Sequence, residues 1–279
     1  MENIQDIQDI QDIQDIQYVK QAFYINLRSR PDRKIHVEGE LKKIGIKAER
    51  FEAIHLTNGA LGCSMSHLKC LETAKNNNWD HILIVEDDIQ FINPLLFREQ
   101  FSTFLSKNKE WDVVLIAGNN MPPYTIIDST CVKITRCQTT TGYLVKNHYY
   151  DKLISNIKDG INMLIREPSK HVLYAIDKYW FKLQETDSWF LITPLTVTQQ
   201  EGYSDIEKKV TNYTKVMIDL DKKWLTNPNP NPNPNPNPNP NPNPNENKSK
   251  SKIIVNEKSI VENTIKMNKP STTLNNVFL

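Results

Sequence analysis

The sequence lacks an excess of either charge. It has 34 basic and 33 acidic residues and a formal charge of +1. A dedicated nucleic-acid binder shows a basic excess or stripe, so no nucleic-acid partner is expected. The same balance gives no reason to expect a membrane-surface role or an acidic substrate. No run of apolar residues reaches the length of a membrane span, so none is expected. The first residues, MENIQDIQDIQ, show no basic patch followed by an apolar core, so no secretory signal is visible. CxxC pairs are also missing, which argues against a structural zinc site. Cys63 and Cys70 lie seven apart in a helical pattern, roughly 10 Å between Cα atoms and beyond disulfide reach. Cys131 and Cys137 read as buried free thiols, with pairing across a turn as the alternative. Together these absences predict a reducing, cytoplasmic setting.

What is present is unevenly distributed. Hydrophobic residues make up 38% of the chain, and the shortfall lies at its two ends. Residues 1–17 are an IQD triplet repeat whose isoleucines drift about 60° per step on a helix, so they form no single face. Residues 227–245 are an Asn-Pro run, read as a stiff or turn-rich spacer. Residues 246–279 are polar and read as a disordered tail. The folded body is expected over residues 18–226. The Asn-, Lys- and Ile-rich composition suggests an AT-rich genome, a large DNA virus, a protist or a bacterium; a viral source would make the location virion or host cytoplasm.

Within the body, strand and helix patterns alternate. FYINL (23–27), RFEAI (50–54), HILIVE (81–86), WDVVLI (111–116), CVKITRC (131–137), GYLVKN (142–147) and FLITPLTV (190–197) read as strands. Residues 33–44, 62–76, 150–157 and 177–184 read as helices. The alternation predicts an α/β fold, a mostly parallel central sheet flanked by helices. In such sheets ligands sit beyond the carboxyl ends of the strands.

One strand end stands out. ILIVEDD places Glu86, Asp87 and Asp88 at the end of an apolar strand. Buried carboxylates need a positive partner. If the strand continued through them, Glu86 and Asp88 would share a face and could hold Mg²⁺ or Mn²⁺. The bland alternative is that Asp87 or Asp88 caps a helix over residues 89–92. ILIVEDD also resembles the opening strand of bacterial receiver domains. DVVLIAGNNMP (112–122) resembles their acceptor strand, with Ala117 where the acceptor aspartate would stand. That likeness would imply a non-catalytic docking module.

A second resemblance covers more of the chain. YINLRSRPDR (24–33), RFEAI (50–54), GALGCSMSHLKCLETA (59–74), ILIVEDD (82–88), TTTGYLVKN (139–147), YAIDKYWFKL (174–183) and PLTVTQQEGYSDI (194–206) occur in the order found in glycosyltransferase family 25. This is the lipooligosaccharide-biosynthesis and procollagen-galactosyltransferase-like group. Val85 replaces the usual leucine, and the proline of the family's P-x-D motif is absent before Asp177.

The resemblance implies a GT-A-type nucleotide-sugar-binding fold. It implies transfer of a hexose, galactose or glucose, from a UDP-sugar to an acceptor hydroxyl on a glycan, a lipooligosaccharide or other lipid-linked acceptor, or a protein, with Mn²⁺ or Mg²⁺. Asp88 would be the main metal ligand, with Glu86 or Asp87 assisting. Asn26, Arg28 and Arg33 would hold the nucleotide, with Arg33 as a solvated helix residue the alternative. Ser66 and His67 would face the donor site; otherwise His67 is a satisfied core histidine and Ser66 bonds back to its helix. Asp177 would be the base, or else a helix N-cap. Ser204 and Asp205 would contact the diphosphate or metal, or make a turn. Trp180 and Trp189 would stack on sugar, or pack in the core. A degenerate relative kept as a binding scaffold would carry the same motifs.

Overall fold

The computed structural model describes residues 16, 18–107, 110–204 and 206–223. Asp205, the IQD repeat apart from Ile16, the Asn-Pro run and the polar tail lie outside these described residues. The chain begins with β1 (Ala22–Asn26), α1 (Pro31–Lys43), β2 (Glu49–Glu52), α2 (Gly59–Asn76) and β3 (His81–Glu86). β4 (Ile89–Phe91), α3 (Pro94–Ser106), β5 (Val113–Asn120), β6 (Tyr124–Asp128), β7 (Cys131–Ile134) and β8 (Cys137–Lys146) follow. Next come α4 (Tyr150–Arg166), three short helices α5 (His171–Tyr174), α6 (Ile176–Tyr179) and α7 (Phe181–Gln184), and β9 (Trp189–Ile192). The described part closes with β10 (Val197–Gln199), the hairpin β11 (Gly202–Ser204) and β12 (Lys209–Thr211), and α8 (Thr214–Met217).

Eight strands form one sheet in the order β2-β1-β3-β8-β5-β9-β7-β6. The α/β expectation holds, and six of the eight strands point the same way. β7 and β8 run against the rest, since β8 is antiparallel to both β3 and β5, and β7 to both β9 and β6. The order and the reversed strands exclude the receiver likeness, which requires the all-parallel order 2-1-3-4-5.

The period of two along the strands sorts the two faces. Leu83, Val85 and Leu144 join Val37 and Leu41 of α1 and Phe97, Phe101 and Phe104 of α3 in one buried cluster. Ile84 pairs with Tyr143 on the opposite face. There the Tyr143 ring stacks on His67 of α2, with centroids 5.5 Å apart. Cys70 and Ala74 continue that helix face and are fully buried. Both α2 and α3 start on an asparagine cap: Asn58 accepts from the Leu61 amide at 3.2 Å and Asn93 from the Leu96 amide at 3.1 Å. Gly62 lets α2 approach the chain after β2, because a Cβ there would lie 2.5 Å from the Ile54 carbonyl oxygen.

Several expectations change. Residues 89–92 are not a helix capped by the acids. β4 pairs with β10 instead, and the Phe91 amide donates to Glu40 of α1 at 2.8 Å. The strand expected over 190–197 ends at Ile192, because Pro194 brings no amide donor. The helix expected over 177–184 is two short helices on either side of Trp180. All four cysteines are free, as expected. Trp180 and Trp189 are wholly buried core residues, their rings edge to face at 5.2 Å, so neither offers a sugar-stacking face. Among the described residues no helix is long and apolar enough to cross a membrane.

Candidate active site

A cleft of about 700 Å³ opens at the carboxyl ends of β1 and β3. Because β8 runs backwards, its first residues, Gln138 to Thr140, lie at the same end and line the cleft. Glu86, Asp87, Asp88, His67, Cys63, Asp177 and Ser204 line it as well.

The three acids do not act as one group. β3 ends at Glu86, and residues 87–88 form a turn into β4. Strand alternation puts Glu86 on the α2 face, with Ile82 and Ile84. Its Oε1 accepts from the Thr140 hydroxyl at 2.8 Å and the Cys63 thiol at 3.6 Å, and lies 3.5 Å from His67 Nε2. Gln199 of β10 donates to its Oε2 at 3.4 Å. Burial alone would raise the Glu86 carboxyl, but His67, Thr140 and Cys63 hold it below its ordinary value.

Asp87 and Asp88 turn to the other side. Asn26 Nδ2 donates to Asp87 Oδ2 at 2.7 Å, and Arg33 Nη1 donates to Asp87 Oδ1 at 3.0 Å and Asp88 Oδ2 at 3.3 Å. The second arm of Arg33 donates to the Tyr203 carbonyl at 3.0 Å, tying the β11–β12 hairpin over the site. Arg33 is therefore an ion-paired residue, and the solvated-helix alternative falls. Burial pushes Asp87 up, against the pull of Asn26 and Arg33. Asp88 Oδ1 is buried with no hydrogen-bond partner. Burial, then the charge of Glu86, pushes Asp88 up to about 8.

Asp177 is not the N-cap; that position is Ala175. Its Oδ2 accepts from the Thr139 amide at 3.2 Å and lies 3.9 Å from Lys178 Nζ. Burial raises its carboxyl. Thr139, whose amide makes that bond, lies in the left-handed region at φ 75°, a conformation rare for a threonine. His67 is both core and site, since Nδ1 is 2.9 Å from the Tyr143 hydroxyl while Nε2 faces Glu86. Ser66 donates to the Gly62 carbonyl at 2.8 Å and accepts from the Ile54 amide at 2.9 Å, so its hydroxyl braces the backbone. Ser204 Oγ accepts from the Glu207 amide at 3.1 Å and shapes the hairpin turn. Arg28 is exposed and does not line the cleft; Arg30 does. Gln199, Thr140 and Arg50, which donates to Asn26 Oδ1 at 3.0 Å, were missed. The TQQ and TTT runs containing the first two carry no spacing that singles them out.

Residues 55–177 match glycosyltransferase family 25 (LPS biosynthesis protein). Over these residues the chain is similar to that family of glycosyltransferases. A glycosyltransferase 25 family member of Aedes aegypti is 22% identical over 258 residues, covering 72% of this chain and 40% of its own length. A procollagen lysyl hydroxylase and glycosyltransferase of Acanthamoeba polyphaga mimivirus is 26% identical over 234 residues, covering 68% and 26% respectively. The chain thus spans less than half the length of these relatives. Among solved structures, a glycosyltransferase involved in glycosylating the PBCV-1 major capsid aligns with TM-score 0.41 and 10% identity, over 70% of this chain and 96% of that one. A Drosophila β1,4-galactosyltransferase 7 mutant in complex with manganese, UDP-Gal and xylobiose aligns with TM-score 0.35 and 13% identity, over 75% and 79%.

Proposed function

We propose that this chain is a family 25 glycosyltransferase that transfers a hexose, galactose or glucose, from a UDP-sugar to a hydroxyl of a glycan, lipid-linked or protein acceptor, assisted by Mn²⁺ or Mg²⁺. The observation that carries this reading is the partnerless, buried Asp88 Oδ1 beside Asp87, at the carboxyl end of β3. The residues fit a hard cation: carboxylate oxygens suit Mn²⁺ and Mg²⁺, and one of them has nothing else to bind. Asp88, with Asp87 beside it, would hold the ion. Bound there, it would act as a Lewis acid on the diphosphate.

The chain's own groups do the rest. Arg33 and Arg30 orient the diphosphate by charge, and Asn26 keeps Asp87 in place. Asp177 takes the proton of the acceptor hydroxyl as that oxygen bonds to the anomeric carbon. The bond from that carbon to the diphosphate oxygen breaks, and UDP departs with the electron pair. A base serves best when its pKa approaches the working pH, and burial moves Asp177 in that direction. The β11–β12 hairpin, tied down by Arg33, excludes water from one side.

The test is a thermal melt with UDP and Mn²⁺ separately and together. Ligand at a hundred times its dissociation constant adds about 2.7 kcal/mol. A shift that requires both, and that Asp88→Asn removes along with transfer, is the expected result. No shift with either, or unchanged turnover in Asp88→Asn, would overturn the reading in favour of a binding scaffold.

A further inference from the structure

The environment of Glu86 has no role in the reaction just described. Three potential ligand atoms meet there: Cys63 Sγ, His67 Nε2 and a Glu86 carboxylate oxygen, all within 4.8 Å of one another. His67 is fully buried, and its Nε2 makes no hydrogen bond although it points at Glu86. We propose that Cys63, His67 and Glu86 form a second cation site, in the cleft wall, that takes a thiophilic divalent ion such as Zn²⁺ and not the hard ion of the aspartate pair.

The argument is geometric. With zinc bonds of about 2.3 Å to sulfur and about 2.0–2.1 Å to nitrogen and oxygen, tetrahedral ligands lie about 3.6 Å (S···O) and about 3.4 Å (N···O) apart. Cys63 Sγ is 3.6 Å and His67 Nε2 3.5 Å from Glu86 Oε1. Two edges of the tetrahedron are therefore already set, and closing the third requires only that Sγ and Nε2 approach. Cys63 and His67 are i and i+4 on α2, the spacing that places two ligands on one helix face. A thiolate and an imidazole favour zinc over magnesium or manganese.

The surroundings fit as well. Ligating histidines have their other ring nitrogen fixed by a hydrogen bond, and the Tyr143 hydroxyl lies 2.9 Å from His67 Nδ1. With Nδ1–H donating to Tyr143, the Nε2 lone pair is free for the ion. Thr140 orients Glu86. Binding displaces one proton, from the Cys63 thiol to solvent, and changes no oxidation state. The fourth position faces the cleft, since all three residues line it, and would take a water or a ligand oxygen.

The test uses the full chain, stripped of metal, with Co²⁺ alone as the probe. One equivalent should give tetrahedral visible bands and a thiolate-to-cobalt charge-transfer band in the near ultraviolet, both removed by Zn²⁺. The charge-transfer band should vanish in Cys63→Ser and persist in Asp88→Asn, which separates this site from the aspartate pair and from any failure of the transferase reading. No charge-transfer band in the wild type, or its survival in Cys63→Ser, would overturn the proposal. A second measurement needs no variant. Cys63 is half-buried while Cys70, Cys131 and Cys137 are buried, so iodoacetamide should label it first. Zn²⁺ at a hundred times its dissociation constant should slow that labelling about a hundredfold, and Mn²⁺ should not. Labelling at the same rate with Zn²⁺ would also overturn it.

Discussion

Asn26 and Asp87 join the ends of two neighbouring parallel strands through one buried hydrogen bond of 2.7 Å. Asn26 is 1% exposed, and its other oxygen and nitrogen contacts are to Arg50 and the Arg30 carbonyl. It is the pin that fixes the acidic turn relative to the first strand. Asn26→Ala should leave Asp87 Oδ2 buried and unpartnered, costing about 1–3 kcal/mol. Urea melts should show a lower midpoint with unchanged slope. Asn26→Asp should cost more, because it adds a like charge at hydrogen-bond distance.

Arg33 is the cation between Asp87 and Asp88. Arg33→Met should destabilise by about 3–5 kcal/mol, the cost of leaving buried charges without their partner. It should also release the hairpin that Arg33 holds through Tyr203. Limited proteolysis should then cut between Gly202 and Thr211 faster than in the wild type. An unchanged cleavage rate would mean the hairpin is held by other contacts.

Asp177→Asn keeps an oxygen to accept the Thr139 amide, so the fold and the joint UDP and metal response should persist. Loss of a positioned base is worth about 10²–10⁴ in rate. Transfer should fall by that factor in kcat while the thermal shift with UDP and Mn²⁺ stays. A variant with wild-type kcat would remove Asp177 from the reaction.

Acid sensitivity should come in part from Asp187, far from the cleft. Burial alone would raise its carboxyl, but Lys152 at 2.7 Å, Tyr149 at 2.5 Å and Thr186 at 3.1 Å hold it below the ordinary value. Its folded pKa thus lies under its unfolded one. The stabilisation is complete above the unfolded value, about 3.9, and is lost as pH falls through the folded value. Asp187→Asn should be less stable at neutral pH and should lose stability less steeply on acidification. Denaturant melts from about pH 6 down to about pH 2 would check both.

The parts of this fold that were legible in the sequence are those where one local signal dominates. HILIVE is a central strand with both faces covered, and its apolar run marks it at its observed bounds. Cys63, His67, Cys70 and Ala74 fall at i, i+4, i+7 and i+11, a helical spacing, and on α2 all of them but the half-buried Cys63 are fully buried. β4 was not legible, because three residues, IQF, carry no period; its pairing with β10 and the Glu40 carboxylate decide it. The direction of β8 was equally hidden, since strand periodicity is the same read either way. That is why Thr140, three positions from the start of that strand, escaped notice. Glu86 was legible as an acid at a strand end but not as separate from its neighbours, because that separation depends on β3 ending there and on what α2 presents.

The reversed strand β8 also sets when the molecule can be completed. It lies between β3 and β5 in the sheet, yet follows both in the chain. During synthesis the two halves of the sheet have no common centre until residues 137–146 have emerged. Gln199 and the hairpin that closes over Arg33 come later still. Contacts so distant in sequence slow folding, and a nascent chain halted before β10 would expose the acidic turn without the wall that faces it. The cleft is therefore assembled last, and a truncation meant to remove only the polar tail must leave the whole of the β11–β12 hairpin behind.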